Sequence, residues 1–357
     1  MATIGIPRAL AYYIYFPFWK TYFEELGHEV IESSPTTRAI LDQGIKDTVS
    51  DACIPIKVFH GHVEDLKDKV DYIFVPRLVS MRKYGDFGTE TLCPKFLGLP
   101  DMLAASINDL SPVLEVRLDL KKGKSELFKV YSELGKKLGA DFFLIYRAFR
   151  RASKVQKNYE EMLQRGIMPD LAMQQVLDGS YNKAVLVGCE NYVSNKKARN
   201  AKSGLGQPGY SVGNNPCSLA VVGYPYAIYD PYINVGLISA LAHEGVSVYT
   251  QDMLSDRELH SQAFKLDKDM FWYFSNRVVQ GALYYMDVKP VDGMIHITAF
   301  ACGPDSIVDK FLEIEAKRRG MPYMAITIDE HTGEAGMRTR MEAFLDMLEY
   351  RRRKRES

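Results

Sequence analysis

The sequence has no apolar stretch long enough to cross a bilayer, and no apolar leader segment opens it. We therefore expect a cytoplasmic protein without a membrane anchor. It also has no excess of either charge, since 45 lysines and arginines balance 45 aspartates and glutamates. Proteins that bind nucleic-acid backbones carry a basic excess, so this balance argues against nucleic acid as a partner.

Cysteine is scarce and odd in number: the 357 residues include five cysteines, and no two of them form a C-x-x-C pair. An odd number in a chain without a leader argues against a disulfide framework and leaves thiols free for metal. The missing pairs exclude the compact ferredoxin and zinc-ribbon signatures. Any metal site must therefore be assembled from distant parts of the chain.

Three of the five cysteines stand beside prolines at the ends of apolar runs. They are Cys53 in Asp51-Ala-Cys-Ile-Pro55, Cys93 in Leu92-Cys-Pro94 and Cys302 in Phe300-Ala-Cys-Gly-Pro304. Helices are predicted to follow Cys53 and Cys302, and the N–H groups at a helix start favour a thiolate. This pattern predicts three thiolates around one iron–sulfur cluster, with one iron left without a cysteine. Residue chemistry alone leaves open a second interpretation, three unrelated buried thiols.

Strand-like and helical segments alternate over residues 1–120 and again over 216–357, which predicts two doubly wound α/β domains with parallel sheets. Residues 121–215 between them read as a helical bridge followed by a polar loop. Ligands bind at the carboxyl edges of such sheets, so the two domains should enclose a cleft that Cys302 enters from one wall and Cys53 and Cys93 from the other. The predicted strands are 3–6, 29–31, 72–75, 184–187, 218–222, 246–249, 293–299 and 323–328; the predicted helices include 18–26, 54–66, 125–138, 142–164, 170–177, 233–244, 305–319 and 339–352.

Polar side chains near strand ends are further candidates for the site. Glu330, His331 and Glu334 lie between a strand and a helix and are predicted to move protons, with His331 also a candidate fourth iron ligand. The alternative is a capping loop held by its own salt bridges. Tyr224 and Tyr226 follow a strand and are predicted to line a substrate pocket, and Arg338 is predicted to bind an anionic substrate or to pair with Glu334. Cys189 and Cys217 are interpreted as spare thiols or as a fourth ligand.

Several of these motifs resemble the acyl-CoA dehydratase activase-related proteins, which belong to the superfamily of 2-hydroxyacyl-CoA dehydratases, benzoyl-CoA-type reductases and double-cubane cluster proteins. The motifs include Cys53-Ile-Pro-Ile-Lys57, Cys93-Pro-Lys-Phe-Leu-Gly-Leu-Pro-Asp101, Phe300-Ala-Cys-Gly-Pro-Asp-Ser306 and Asp329-Glu-His-Thr-Gly-Glu-Ala-Gly336. The resemblance covers both α/β halves and is weakest over about 121–215. It implies two Rossmann-like domains with a cluster between them, held by Cys53, Cys93 and Cys302.

The resemblance also implies a role in anaerobic metabolism. Low-potential electrons would come from an ATP-hydrolysing activator with its own 4Fe-4S cluster, and a small substrate, a 2-hydroxyacyl-CoA by analogy, would be reduced. Five cysteines favour one 4Fe-4S cluster over a double cubane, and the absence of an Asp-x-Gly-Ser-Thr pattern indicates that the activator is a separate polypeptide. The superfamily also suggests a homodimer. Two alternatives stay open: an electron relay without a substrate of its own, and a metal-free binding module.

Overall fold

The computed structural model describes residues 1–81, 91–180, 217–266, 269–289 and 291–356. The predicted strand 184–187 and Cys189 lie outside these residues. The strands are β1 (Thr3–Ile6), β2 (Glu29–Glu32), β3 (Tyr72–Phe74), β4 (Arg77–Ser80), β5 (Val113–Leu114), β6 (Arg117–Asp119), β7 (Ser218–Gly223), β8 (Ser247–Tyr249), β9 (Gly293–Ala299) and β10 (Tyr323–Ile328). The helices are α1 (Tyr12–Glu25), α2 (Arg38–Lys46), α3 (Ile54–Leu66), α4 (Pro94–Leu97), α5 (Leu99–Ser106), α6 (Lys124–Lys137), α7 (Phe142–Gln164), α8 (Pro169–Leu177), α9 (Pro225–Ile228), α10 (Leu237–His243), α11 (Asp256–His260), α12 (Tyr273–Asp287), α13 (Gly303–Arg319) and α14 (Glu334–Glu356).

Two four-stranded parallel sheets organise the described chain. The first has the order β2-β1-β3-β5 and the second the order β8-β7-β9-β10, with every pairing parallel. The predicted α/β class with parallel sheets is therefore confirmed. In both sheets the chain adds its second strand on one side of the first and then crosses to the other side. Such a reversal opens a crevice at the carboxyl ends of the two central strands.

The two central strands of the second sheet, β7 and β9, are mostly apolar and buried. All seven residues of β9 are buried, and β7 is buried from its second residue onward. Strands covered on both faces need near-continuous apolar sequence, which both provide apart from a few polar side chains such as His296. The carboxyl ends of β7 and β9 lead directly to Tyr224 and, after a two-residue turn, to Cys302.

The helical segment of residues 124–177 packs along α1. One stripe of α7 is fully buried, at Ile145, Ala148, Ala152 and Tyr159, with the spacing of a helix face. The Tyr159 hydroxyl donates to the carbonyl of Tyr13 on α1 over 2.6 Å. Among the described residues, no helix combines the length and apolarity that crossing a bilayer requires.

Candidate functional site

A cavity of about 440 Å³ lies where segments at the carboxyl ends of both sheets meet, and we call it the cysteine pocket. Cys53, Cys93 and Cys302 all line it, although they lie up to 249 positions apart in the sequence. Its other lining residues are Leu10, Pro55, Ile56, Leu92, Pro94, Lys95, Phe96, Tyr224, Tyr226, Trp272, Tyr273, Phe274, Ala301, Gly303, Pro304 and Ile307. The structure thus brings together the three cysteines and both tyrosines that the sequence singled out.

Each of the three cysteines is the capping residue immediately before a helix. Cys53 precedes α3, Cys93 precedes α4 and Cys302 precedes α13, and each helix has a proline in its first two positions. Proline suits these positions because the first N–H groups of a helix have no intrahelical partner. At Cys53 and Cys302, nearby backbone N–H groups hydrogen-bond the sulfur and act to lower the thiol pKa.

Two backbone turns beside the pocket adopt left-handed conformations that side chains rarely tolerate. Leu10 between β1 and α1 has φ 54°, and Ala301 between β9 and α13 has φ 61°. A non-glycine residue in this region costs roughly 1–3 kcal/mol, and such residues concentrate at functional sites. The turn at Ala301 changes the chain direction after β9 so that Cys302 can begin α13.

For Cys53 and Cys302, burial changes the thiol pKa more than the hydrogen bonds from the helix starts do. Burial raises the pKa of Cys53 above its ordinary value, although the nearby Lys95 ammonium opposes the shift. Burial also raises the pKa of Cys302, and the Asp305 carboxylate and the other two cysteines add to the effect. Both thiols are therefore protonated at neutral pH until a metal cation displaces their protons.

The donor set fits a polynuclear cluster better than a single ion. Within the described ranges, no three His, Cys, Asp or Glu side chains come close enough to share one metal ion. A 4Fe-4S cluster does not need such a group, because each cysteine binds a different iron. Three thiols spread around one largely apolar cavity are compatible with that requirement.

Aromatic rings form one wall of the pocket. Phe96, Tyr226 and Phe274 lie with ring centroids 5.8–5.9 Å apart, and Tyr224 packs on both Tyr226 and Phe274. The Tyr224 hydroxyl is 2.9 Å from the Ser275 hydroxyl. Burial raises the pKa of Tyr224 and of Tyr226 well above the ordinary phenol value. Both phenols are therefore neutral hydrogen-bond donors at physiological pH.

The Glu330 segment lies away from the pocket lining. Glu330 Oε1 is 3.3 Å from Nζ of Lys57, a buried lysine on α3, and the Glu330 carbonyl accepts from Arg38 over 2.7 Å. His331 and Glu334 are exposed. In the structure, the Glu330 side chain forms an ion pair with Lys57. Proton transfer by Glu330, His331 and Glu334 stays a prediction.

Arg338 also stands apart from the pocket. It is exposed and pairs with Glu342 over 3.3 Å, a contact within α14. Its partner Glu342 is neither the predicted Glu334 nor a residue that lines the cysteine pocket. Its predicted substrate contact therefore has no support from this geometry and stays a prediction.

Cys217 lies at the other edge of the second sheet. It precedes β7, whereas Cys302 follows the carboxyl end of β9, and the two strands run parallel. A six-residue strand spans roughly 20 Å, so Cys217 cannot reach the pocket. Burial raises its pKa to about 11. Cys217 is a spare core thiol, in agreement with one of the two interpretations from the sequence.

Sequence reasoning missed a buried polar cluster behind Cys302. His296 on β9 contacts Asp305 and Asp309 of α13, and the Tyr323 hydroxyl donates to Asp309 over 2.6 Å. A histidine in a strand of mostly apolar residues is the signal that marks this cluster. The helix predicted over 305–319 begins two residues earlier, at Gly303, so that Cys302 is its capping residue.

Known families match both sheets of the chain. Residues 3–254 match the family described as CoA enzyme activase uncharacterised domain (DUF2229). Residues 237–348 match a second family, the D-component of 2-hydroxyglutaryl-CoA dehydratase. The first range includes Cys53 and Cys93, and the second includes Cys302. Among curated proteins, none matches the chain.

Proposed function

The chain belongs to the CoA enzyme activase uncharacterised domain family, and on that premise we propose that it is an iron–sulfur protein that accepts low-potential electrons from an ATP-dependent activator and reduces a small substrate. Both family matches agree with the resemblance to acyl-CoA dehydratase and activase proteins. Proteins of the matched dehydratase family bind iron–sulfur clusters. The activator is proposed to be a separate protein.

The observation that carries the proposal is the convergence of Cys53, Cys93 and Cys302 on one cavity. Two come from the half built on the first sheet, and the third comes from the half built on the second. Three cysteines that served only as core side chains would not be expected to line the same cavity. The three cysteines would hold a 4Fe-4S cluster, which supplies an electron at low potential and one iron without a protein thiolate.

The lining residues suit a substrate with an apolar body. Among the lining side chains that the structure describes, Lys95 is the one with a cationic group. Lys95 would bind a carbonyl or carboxylate oxygen, and the aromatic wall would exclude water from the reacting atoms. Tyr224 or Tyr226 would donate a hydrogen bond to charge that develops on that oxygen. The acyl end of a 2-hydroxyacyl-CoA has this chemistry.

An electron relay would use a fourth protein ligand to close the last iron. The described lining of the pocket contains no imidazole and no cysteine beyond the three. Cys217 lies at the opposite edge of its sheet, and the exposed His331 is not a lining residue. This geometry favours a site with room for a substrate over the relay.

Anaerobic purification with iron and sulfide analysis tests the proposal. We expect about four iron and four sulfide ions per chain after reconstitution, and a loss of at least half in Cys53→Ser, Cys93→Ser and Cys302→Ser. Cys217→Ser is the matched control, because it removes a buried thiol outside the pocket, and it should keep full loading. Colourless, iron-free wild-type protein would overturn the proposal.

A second measurement separates the enzyme from the relay. The reduced, loaded protein should change its electron paramagnetic resonance spectrum when a 2-hydroxyacyl-CoA or a simpler 2-hydroxy acid is added, because the substrate approaches the iron without a thiolate. Lys95→Gln should weaken this response at unchanged iron content. A spectrum that no such compound alters would favour the relay.

A further inference from the structure

A buried histidine behind Cys302 is held between two carboxylates. The His296 ring, on β9, is fully inaccessible to solvent. Its Nε2 is 3.2 Å from Asp305 Oδ1 and its Nδ1 is 3.1 Å from Asp309 Oδ1. Both partners lie on α13, the helix that begins at Cys302.

The hydrogen-bond partners of this ring indicate its charge. An ionised carboxylate can only accept hydrogen bonds, so a ring nitrogen that faces each one must carry a hydrogen, and the ring is then an imidazolium. Burial alone would lower the pKa of His296, but the attraction and hydrogen bonds of Asp305 and Asp309 outweigh it and raise the pKa to about 9. The cluster therefore contains a buried positive charge at neutral pH.

Asp305 connects this charge to the cysteine pocket. It lies in the first turn of α13, three residues after Cys302, and its side chain is almost completely buried. Its second oxygen accepts from the Ala299 N–H over 3.4 Å, which holds the carboxylate beneath the turn that presents Cys302. The Asp305 charge is felt at Cys302, where it raises the thiol pKa. An uncompensated carboxylate here would repel any negative charge held by the three cysteines.

We propose that His296 is a positioning residue that neutralises the Asp305 carboxylate beside Cys302 and thereby raises the reduction potential of the cluster in the cysteine pocket. This inference rests on the proposed function. A reduced cluster carries one more negative charge than an oxidised one, so a nearby anion lowers its potential and a nearby cation raises it.

Asp309 offers a matched comparison within the same cluster. It binds the other ring nitrogen of His296, but it lies seven residues beyond Cys302, about two helical turns away. Asp309 also accepts the hydroxyl of Tyr323. Removal of the Asp309 charge should therefore disturb the packing of His296 as much as removal of the Asp305 charge, while changing the field at the pocket much less.

The test is a set of redox titrations on reconstituted protein at about pH 8, below the pKa of His296 and above that of an ordinary carboxyl group. His296→Gln should lower the midpoint potential, Asp305→Asn should raise it, and the double variant should return close to wild type. Asp309→Asn should shift it less than Asp305→Asn. Melting temperatures identify any variant that fails to fold.

A purely structural role for the cluster predicts a different pattern, in which the single variants shift the potential in the same direction or not at all. Either result would overturn the inference, and so would equal shifts for Asp305→Asn and Asp309→Asn. The proposed function fails separately, through absence of iron. In that case, long-range ¹H–¹⁵N spectra of the iron-free protein at pH 8 still report whether His296 carries both ring protons, and whether it keeps them in Asp305→Asn, as the predicted rise in potential requires.

Discussion

The ion pair between Lys57 and Glu330 is one of the contacts that join the two halves of the molecule. Lys57 comes one helical turn after Cys53, and its side chain is only 6% exposed, whereas the Glu330 side chain is 28% exposed. A buried ammonium without a partner is costly, more so than the net worth of the pair. Loss of the Glu330 carboxylate should therefore leave a more costly unpaired charge than loss of the Lys57 ammonium would.

This asymmetry gives a prediction for Glu330→Gln. We expect the free energy of unfolding, measured by urea denaturation, to fall by about 1–3 kcal/mol, because Lys57 would stay buried without a countercharge. Glu334→Gln is the control: the side chain is exposed, and its loss should change stability by less than about 0.5 kcal/mol. In the double variant Lys57→Met/Glu330→Gln, part of the loss should be recovered. Equal stability of Glu330→Gln and wild type would contradict this view.

His296 predicts a pH dependence of stability. Its folded-state pKa of about 9 exceeds the unfolded value of about 6.5. Its contribution is therefore complete below about pH 6.5 and is lost as the pH rises through about 9, with a slope of at most about 1.4 kcal/mol per pH unit. The groups that face it are Asp305, Asp309 and, through Asp309, Tyr323; the imidazolium lowers the pKa of Asp309, and burial raises that of Tyr323.

The measurement is urea denaturation at several values between about pH 6.5 and 9.5. Wild type should lose stability across this window relative to His296→Gln, which lacks the titrating group. His243→Gln replaces an exposed histidine and should keep the wild-type slope. The assignment of a buried imidazolium would be wrong if wild type and His296→Gln lost stability in parallel.

Helices α2 and α3 approach each other backbone to backbone through two glycines. A Cβ at Gly44 would lie 1.8 Å from the Lys57 carbonyl oxygen, and one at Gly61 would lie 1.9 Å from the Ile40 carbonyl oxygen. Neither carbonyl can move away without displacing its helix. Because α3 begins at Cys53, the separation of these helices also sets the position of one thiol in the pocket.

Gly61→Ala should therefore destabilise the protein by about 1–3 kcal/mol or more, and it should also reduce iron loading. Gly336→Ala is a suitable control, since it lies in α14 with nothing within 4 Å of the added Cβ. Alanine is the better helix former, so this control should gain up to about 1 kcal/mol at unchanged iron content. A Gly61→Ala protein as stable and as well loaded as wild type would show that the two helices separate easily.

Elements with strong periodicity are the ones that the sequence predicts well. The bounds of α7, β1, β9 and β10 are confirmed residue for residue, because each has an uninterrupted apolar pattern. The start of α1 was predicted at residue 18 but is Tyr12, so that Pro17 lies inside the helix. Proline in a helix interior argues locally against a helix, and the burial of the aromatic residues on both sides of it overrides that preference.

The start of α10 shows the opposite error. The helix was predicted from Ile233 but begins at Leu237. Asp230 accepts the N–H groups of Tyr232 and Ile233, and Val235 and Gly236 then adopt positive φ values of 53° and 72°. A side chain that binds the backbone can replace the first turn of a helix, and periodicity does not reveal this.

At the scale of the whole molecule, a partly buried hydrogen-bond network also ties the halves together. The Thr36 hydroxyl, before α2, donates to Asp230, which follows α9. Thr36 also hydrogen-bonds His62 Nε2 over 2.9 Å, and His62 Nδ1 is 2.9 Å from the Ser33 hydroxyl. Burial lowers the pKa of His62 to about 4, so the ring is neutral at physiological pH. This contact, the Lys57 pair and the packing of Phe96 on Tyr226 and Phe274 all connect the two halves.

The sequence predicted the candidate site only where its signal was local. A cysteine beside a proline after an apolar run is visible in a few residues, and all three of these cysteines line the pocket. The aromatic wall formed by Phe96 and Phe274 has no such mark, because its members come from helices whose packing decides which rings face the cavity. The burial of Lys57 was likewise not visible, since lysine is normally exposed and its partner lies 273 residues away.

Because the three thiols come from both halves, occupancy of the pocket should stabilise the whole chain. A ligand that binds only the native state raises its stability by mass action, and the cysteines of an unfolded chain cannot converge on one cluster. Removal of iron from reconstituted wild type by a chelator, without oxygen, should lower the melting temperature by several degrees or more. Cys302→Ser should melt near the iron-free wild type before and after the chelator, whereas Cys217→Ser should respond like wild type. A loaded wild type that melts at the same temperature as its iron-free form would mean that the metal is held by one half alone or outside the pocket.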